Sequence, residues 1–147
     1  KQADGLVSDT HRCEMVRLAL ENNSQIALTD IEQHLPRPCY TIHTLNALQQ
    51  RYPNDRIRLL IGGDNAKILH RWYAYEEILD RFGILVYPRP DADMDAIPRH
   101  KNIKIINAPL YDISSTEIRE KIRNYLSCEG LIPQKVEKYI LQHELYK

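Results

Sequence analysis

Residues 56–90, "RIRLLIGGDNAKILHRWYAYEEILDRFGILVYPRP", decide the fold class. Ile57 to Ile61 is a short run, apolar except for Arg58, that stops at glycines, and residues 83–90, "GILVYPRP", hold a second. Both are compact, largely apolar runs, so they read as strands of a parallel sheet. Between them "NAKILHRWYAYEEILDRF" reads as helical turns. A strand, a helical crossover and a strand make the unit that brings the second strand back parallel to the first.

The alternation continues on either side. Ser8 can cap a helix reaching to about Asn22, with Met15, Leu18, Ala19 and Asn22 on one side. "SQIALTD", residues 24–30, reads as a short strand. After the proline-rich loop "EQHLPRPCYT", Thr41 can cap a helix carrying Ile42, Leu45 and Leu48. "NIKIINAP" supplies another strand and "PRPDADMDAIPRHK" a surface loop. Pro133 starts a last helix with Val136, Tyr139, Ile140 and His143 on one face. The expected fold is therefore α/β, a Rossmann-like parallel sheet with helices on both faces, in one domain spanning residues 1–147.

Composition narrows the function. Twenty basic residues balance twenty acidic ones and like charges form no long run, which argues against nucleic acid as a partner. Cys13, Cys39 and Cys128 are odd in number and lack a C-x-x-C pair. That pattern suits neither a disulfide framework nor a zinc site, and it points to a reducing cytoplasm. No apolar run approaches the roughly 20 residues of a membrane-spanning helix, so no membrane partner is expected. An oligomer remains compatible with the sequence.

Ligands of such folds bind beyond the C-terminal ends of the strands, and three places there carry chemistry. Gly62 and Gly63 follow the first strand and permit close backbone approach, while Asp64 can accept hydrogen bonds from a ribose hydroxyl. The same residues also suit a plain tight turn. Ser114-Ser115-Thr116-Glu117 has capping-box spacing before a helix whose expected buried stripe is Ile118, Ile122, Tyr125 and Leu126. A helix start is a ready anion site, and Arg119 lies one turn in, on the side of Ser115. A structural cap with a solvated arginine is the competing reading. Trp72, the only tryptophan, and its neighbour Tyr73 offer flat rings for stacking on a heterocycle, or simply ordinary packing.

Taken in order, "CYTIHTLNALQQRYP", "LLIGGDNAKILHRWYAYEEIL", "VYPRP", "ISSTEIREKIR" and "LIPQKVEKYILQHELY" resemble the bacterial nicotinate-nucleotide adenylyltransferase family of the nucleotidyltransferase superfamily. The resemblance covers nearly the whole chain. The I-S-S-T-x-x-R element belongs to the wider superfamily. Tyr40-Thr41 before a T-L helix, G-x-D after the next strand and Trp-Tyr eight residues beyond that Asp are more specific to the nicotinate branch. It implies a Rossmann-like fold and transfer of the adenylyl group of ATP to nicotinate mononucleotide, giving deamido-NAD and pyrophosphate. By position it implies Ser115, Thr116 and Arg119 at the ATP phosphates, with Arg119 the catalytic cation, and Gly62 and Asp64 at the nucleotide. The nicotinate end falls to Thr41, Trp72 and Tyr73. Mg²⁺ is implied by the ATP chemistry, with no protein ligand for it.

The family also carries a G-x-F-D-P-x-H-x-G-H segment on its first strand and loop, and no H-x-G-H occurs in this sequence. The resemblance therefore implies an N-terminally incomplete domain, in which the first strand, its loop and the next helix are missing and the chain alone is expected to be inactive. Two other readings stay open. One is a sister adenylyltransferase for another phosphate acceptor such as phosphopantetheine, and the other is a nucleotide-binding module without turnover.

Overall fold

The computed structural model describes residues 7–88, 93–111 and 113–147. Its elements run α1 (Asp9–Leu20), α2 (Thr41–Arg51), β1 (Leu59–Gly62), α3 (Gly63–Lys67), α4 (Tyr75–Arg81), β2 (Ile84–Tyr87), β3 (Ile103–Ile105), α5 (Ser115–Arg123) and α6 (Gln134–Gln142). Single 3-10 turns occupy Ile31–His34, Leu69–Arg71 and Met94–Ala96. The chain divides into two compact units, Asp30–Asp112 and the pair of segments Lys1–Thr29 and Ile113–Lys147.

The unit Asp30–Asp112 holds the sheet. Its three strands are parallel in the order β1-β2-β3, with Leu59 opposite Ile84 and Ile84 opposite Ile103. Side chains alternate across a strand, so Ile61, Ile84 and Val86 enter one core while Leu60, on the other face, is 58% exposed. Helix residues complete that core: Ile42 and Leu45 from α2, Ala66 from α3, Ile78 and Leu79 from α4, with Leu69 and Phe82 beside them. Burying each aliphatic side chain of this size contributes about 1.5–3 kcal/mol. The α/β alternation read from residues 56–90 is thus the architecture found. Gly83 turns α4 into β2 at φ +69, and its N–H reaches the Ile78 carbonyl at 3.0 Å.

The other unit packs α1, α5 and α6 around Ile122, Cys128, Val136, Ile140 and Leu145. Ser8 caps α1 as expected, its Oγ accepting from the His11 N–H at 3.4 Å. On the expected apolar side of α1, Met15 and Leu18 are half-buried, whereas Ala19 and Asn22 are exposed. Pro133, at φ −59, precedes α6, which buries Val136 and Ile140. Two ties join α1 and the following Glu21 to α6: His11 Nδ1 and Tyr139 Oη lie 2.8 Å apart, and Lys135 pairs with Glu21. That pairing holds the Glu21 carboxyl below its usual range, chiefly through the hydrogen bond from Lys135.

Three expectations fail locally. Residues 24–30 form no strand. The Asn23 side chain accepts from the Gln25 and Ile26 N–H groups at 2.9 and 3.1 Å, and this turn takes donors a ladder would need. Ile26 is accordingly 55% exposed. Thr41 does not cap α2 but is its first residue, and Tyr40, extended at φ −98 and ψ 150, takes the cap position. Tyr125 and Leu126 are not part of a buried stripe, because α5 ends at Arg123. The Leu126 N–H returns to the Lys121 carbonyl at 2.8 Å and the Tyr125 N–H to Ile122 at 3.0 Å, a Schellman ending. It puts Tyr125 at φ 54 and leaves its ring 79% exposed.

Candidate active site

In the unit of α5, Ser114 adopts the extended conformation of a cap, at φ −118 and ψ 144, and its Oγ accepts from the Glu117 N–H at 3.1 Å. Only this half of the capping box forms among the described residues. The Ile118 N–H goes to the Ser114 carbonyl at 3.2 Å. No described residue accepts from the N–H of Ser115 or Thr116, so two donors at the positive end of the helix dipole face outward. Beside them Arg119 donates from Nη2 to Thr116 Oγ1 at 3.2 Å. Arg12, Arg17 and Arg81 each pair with a carboxylate, whereas Arg119 has no such partner among the described residues. Amides, hydroxyls and a guanidinium are groups of the kind that bind anions.

In the unit of the sheet, Gly62 closes β1 and Asp64 lies in the first turn of α3, exposed, at the C-terminal end of the strand. Gly62 occupies the cap position in extended conformation, φ −73 and ψ 158, so the helical turn follows the strand without a loop. Trp72 and Tyr73 occupy the turn that leads into α4. The Tyr75 N–H closes it onto the Trp72 carbonyl at 3.2 Å, and Ala74 is left-handed at φ 54. Trp72 packs half-buried against the core while Tyr73 stands 59% exposed.

The structure brings the start of α2, and with it Thr41, to this turn. The rings of Tyr40 and Tyr73 lie 4.7 Å apart at 34°, and His43 meets both edgewise at 5.7 and 6.0 Å. Sequence reading singled out Thr41 and Tyr73 but missed His43. The available signal was an aromatic cap followed three residues later by an imidazole in "YTIH". Next to it, Thr44 Oγ1 donates to Glu32 Oε1 at 2.9 Å and ties the preceding loop to α2.

Among the described residues no group of three or more His, Cys, Asp or Glu side chains can hold a metal ion. The described residues therefore offer no protein-held cage for a metal ion.

A parallel sheet flanked by helices, with Gly62 and Asp64 just beyond its first strand, gives a Rossmann-like α/β protein. Residues 1–121 match the Cytidylyltransferase-like family. A probable nicotinate-nucleotide adenylyltransferase of Flavobacterium psychrophilum is 42% identical over all of this chain and 77% of the relative. The nicotinate-nucleotide adenylyltransferase of Bacillus subtilis is 33% identical over all of this chain and 76% of its own length. The fold is that of a Plasmodium falciparum nicotinic acid mononucleotide adenylyltransferase solved with NaAD, at TM-score 0.75, 21% identity and coverage of 99% and 78% of the two chains. This chain belongs to the nicotinate-nucleotide adenylyltransferase family within the nucleotidyltransferase superfamily.

Proposed function

We infer that the protein transfers the adenylyl group of ATP to nicotinate mononucleotide, giving deamido-NAD and pyrophosphate, a step of NAD biosynthesis. The observation that carries this is identity of 33–42% across the full chain with relatives of that name. An oxygen of the mononucleotide 5′-phosphate attacks the α-phosphorus of ATP. The bond from that phosphorus to the bridging oxygen of the β-phosphate breaks, and pyrophosphate leaves with the electron pair. No covalent enzyme intermediate is needed, so the protein contributes position and charge.

In this reading the outward N–H groups and hydroxyls of Ser115 and Thr116 hold ATP phosphate oxygens. Arg119 is the catalytic residue that absorbs charge growing on the leaving group, since a guanidinium makes two parallel bonds to phosphate oxygens. The backbone at Gly62 admits the nucleotide and Asp64 accepts from a sugar hydroxyl. Thr41 and the Trp72-Tyr73 turn take the nicotinate end, the indole by stacking on the pyridine ring. Mg²⁺ comes with the ATP phosphates, its usual mode alongside one or two carboxylates and waters. The workplace proposed is the cytoplasm, in keeping with an odd number of cysteines and no C-x-x-C pair.

The test is an acceptor panel. The full-length protein is given ATP with nicotinate mononucleotide, nicotinamide mononucleotide or phosphopantetheine, and pyrophosphate is measured. Turnover is expected with the nicotinate compound above the other two. Preference for phosphopantetheine would assign the chain to a sister activity, and ATP binding without turnover on any acceptor would make it a binding module.

A further inference from the structure

We propose that Tyr40 and His43 are positioning residues for the acceptor end of the reaction, tying the start of α2 to the Trp72-Tyr73 turn. The proposal rests on the reading of Thr41, Trp72 and Tyr73 as acceptor-binding residues. The tie is visible as a three-ring cluster drawn from segments far apart in sequence. Tyr40 stacks on Tyr73 at 4.7 Å, and His43 stands edgewise to both rings, at 79° to the first and 69° to the second. Tyrosines that are 42% and 59% exposed gain little from burial, so what the contact supplies is mutual orientation.

Each end of the tie is fixed to something the acceptor would need. The Tyr40 carbonyl accepts from the His43 N–H at 2.9 Å and the Thr44 N–H at 3.4 Å, which locks its backbone to the helix turn containing Thr41. Tyr73 sits in a turn whose next residue, Ala74, is held at φ 54, a conformation unfavourable for any residue with a Cβ. Such strain persists where surroundings over-determine it. Trp72 is held from beneath by the core, and Tyr73 is held from the side by Tyr40 and His43. The residues that α2 buries are Ile42 and Leu45, so neither Tyr40 nor His43 is among its core residues.

Removing a ring therefore leaves the fold and loosens the distance between Thr41 and Trp72. A displacement near 1 Å at a positioned site costs up to about 10²-fold. Tyr40→Ala and His43→Ala in the full-length protein should raise KM for nicotinate mononucleotide about 10- to 100-fold, with KM for ATP unchanged. Direct titration with nicotinate mononucleotide, read through the fluorescence of Trp72, the only tryptophan, should show the same loss. Tyr40→Phe keeps the ring and should behave as wild type. Alanine variants that bind the mononucleotide as tightly as wild type would overturn the proposal. So would equal rises in both KM values, or failure of phenylalanine to rescue. A wild-type protein that bound no nicotinate mononucleotide would overturn the acceptor reading itself and this inference with it.

Discussion

Replacing Arg119 by alanine should separate catalysis from stability, because this half-buried side chain makes no ion pair and only one side-chain hydrogen bond among the described residues. Among the described residues its one hydrogen bond is from Nη2 to Thr116 Oγ1 at 3.2 Å, and no carboxylate pairs with it. Losing an exposed hydrogen bond of this kind costs about 0.5 kcal/mol. Alanine's better helix propensity offsets about 0.2 kcal/mol of that. The melting temperature should therefore move by no more than about 2 °C. Against this, removal of one preorganised donor to developing charge costs about 10²- to 10³-fold in rate, or about 2.7–4 kcal/mol. Arg119→Lys should recover only part, since an ammonium lacks the two-pronged match to phosphate oxygens. The assay is steady-state pyrophosphate release beside a thermal melt. A variant that melts several degrees lower and loses activity only in proportion would refute the reasoning, as would one that turns over normally.

Two backbone predictions have opposite signs. Gly83→Ala should destabilise by about 1–2 kcal/mol in urea unfolding, since φ is +69 and a Cβ would stand 3.2 Å from the Asn102 carbonyl oxygen. Tyr125→Gly should stabilise by about 0.5–1 kcal/mol, because the same left-handed conformation there holds an exposed side chain that contributes no burial. Cys128 is fully buried, and burial foremost, then the Glu137 charge, raises its thiol pKa. It should resist alkylation in the native protein while Cys13 and Cys39, both half-buried, react first. The raised value also sets a sign: the contribution of Cys128 to stability is complete below the unfolded thiol pKa and is lost as pH rises toward the folded one. Urea midpoints that did not fall in alkaline buffer, or fell equally in Cys128→Ala, would contradict that assignment.

The strands at β1 and β2 were legible because apolar runs bounded by glycine and proline leave few alternatives, and the register of a buried strand is fixed by its pattern. The α5 start was legible for a similar reason, since Ser114 three residues before Glu117 is local chemistry that needs no tertiary partner. The segment 24–30 was not. Its composition suits a strand, but a strand exists only with a neighbour, and the Asn23 turn supplied local acceptors instead. Tyr125 and Leu126 continue the α5 periodicity on paper, yet nothing in their side chains announces the Schellman ending. Among site residues, Thr41, Trp72 and Tyr73 stood out singly. The ring contacts of Tyr40 and His43 with Tyr73 were invisible because they join segments that only the folded chain brings together.

The most direct test follows the phosphorus. Supplying the full-length protein with nicotinate mononucleotide and ATP labelled at the α-phosphate should carry the label into the dinucleotide. Label at the γ-phosphate should appear in pyrophosphate alone. An α-label that stays in ADP, with γ-label on the acceptor, would mean phosphoryl transfer and would contradict adenylyl transfer.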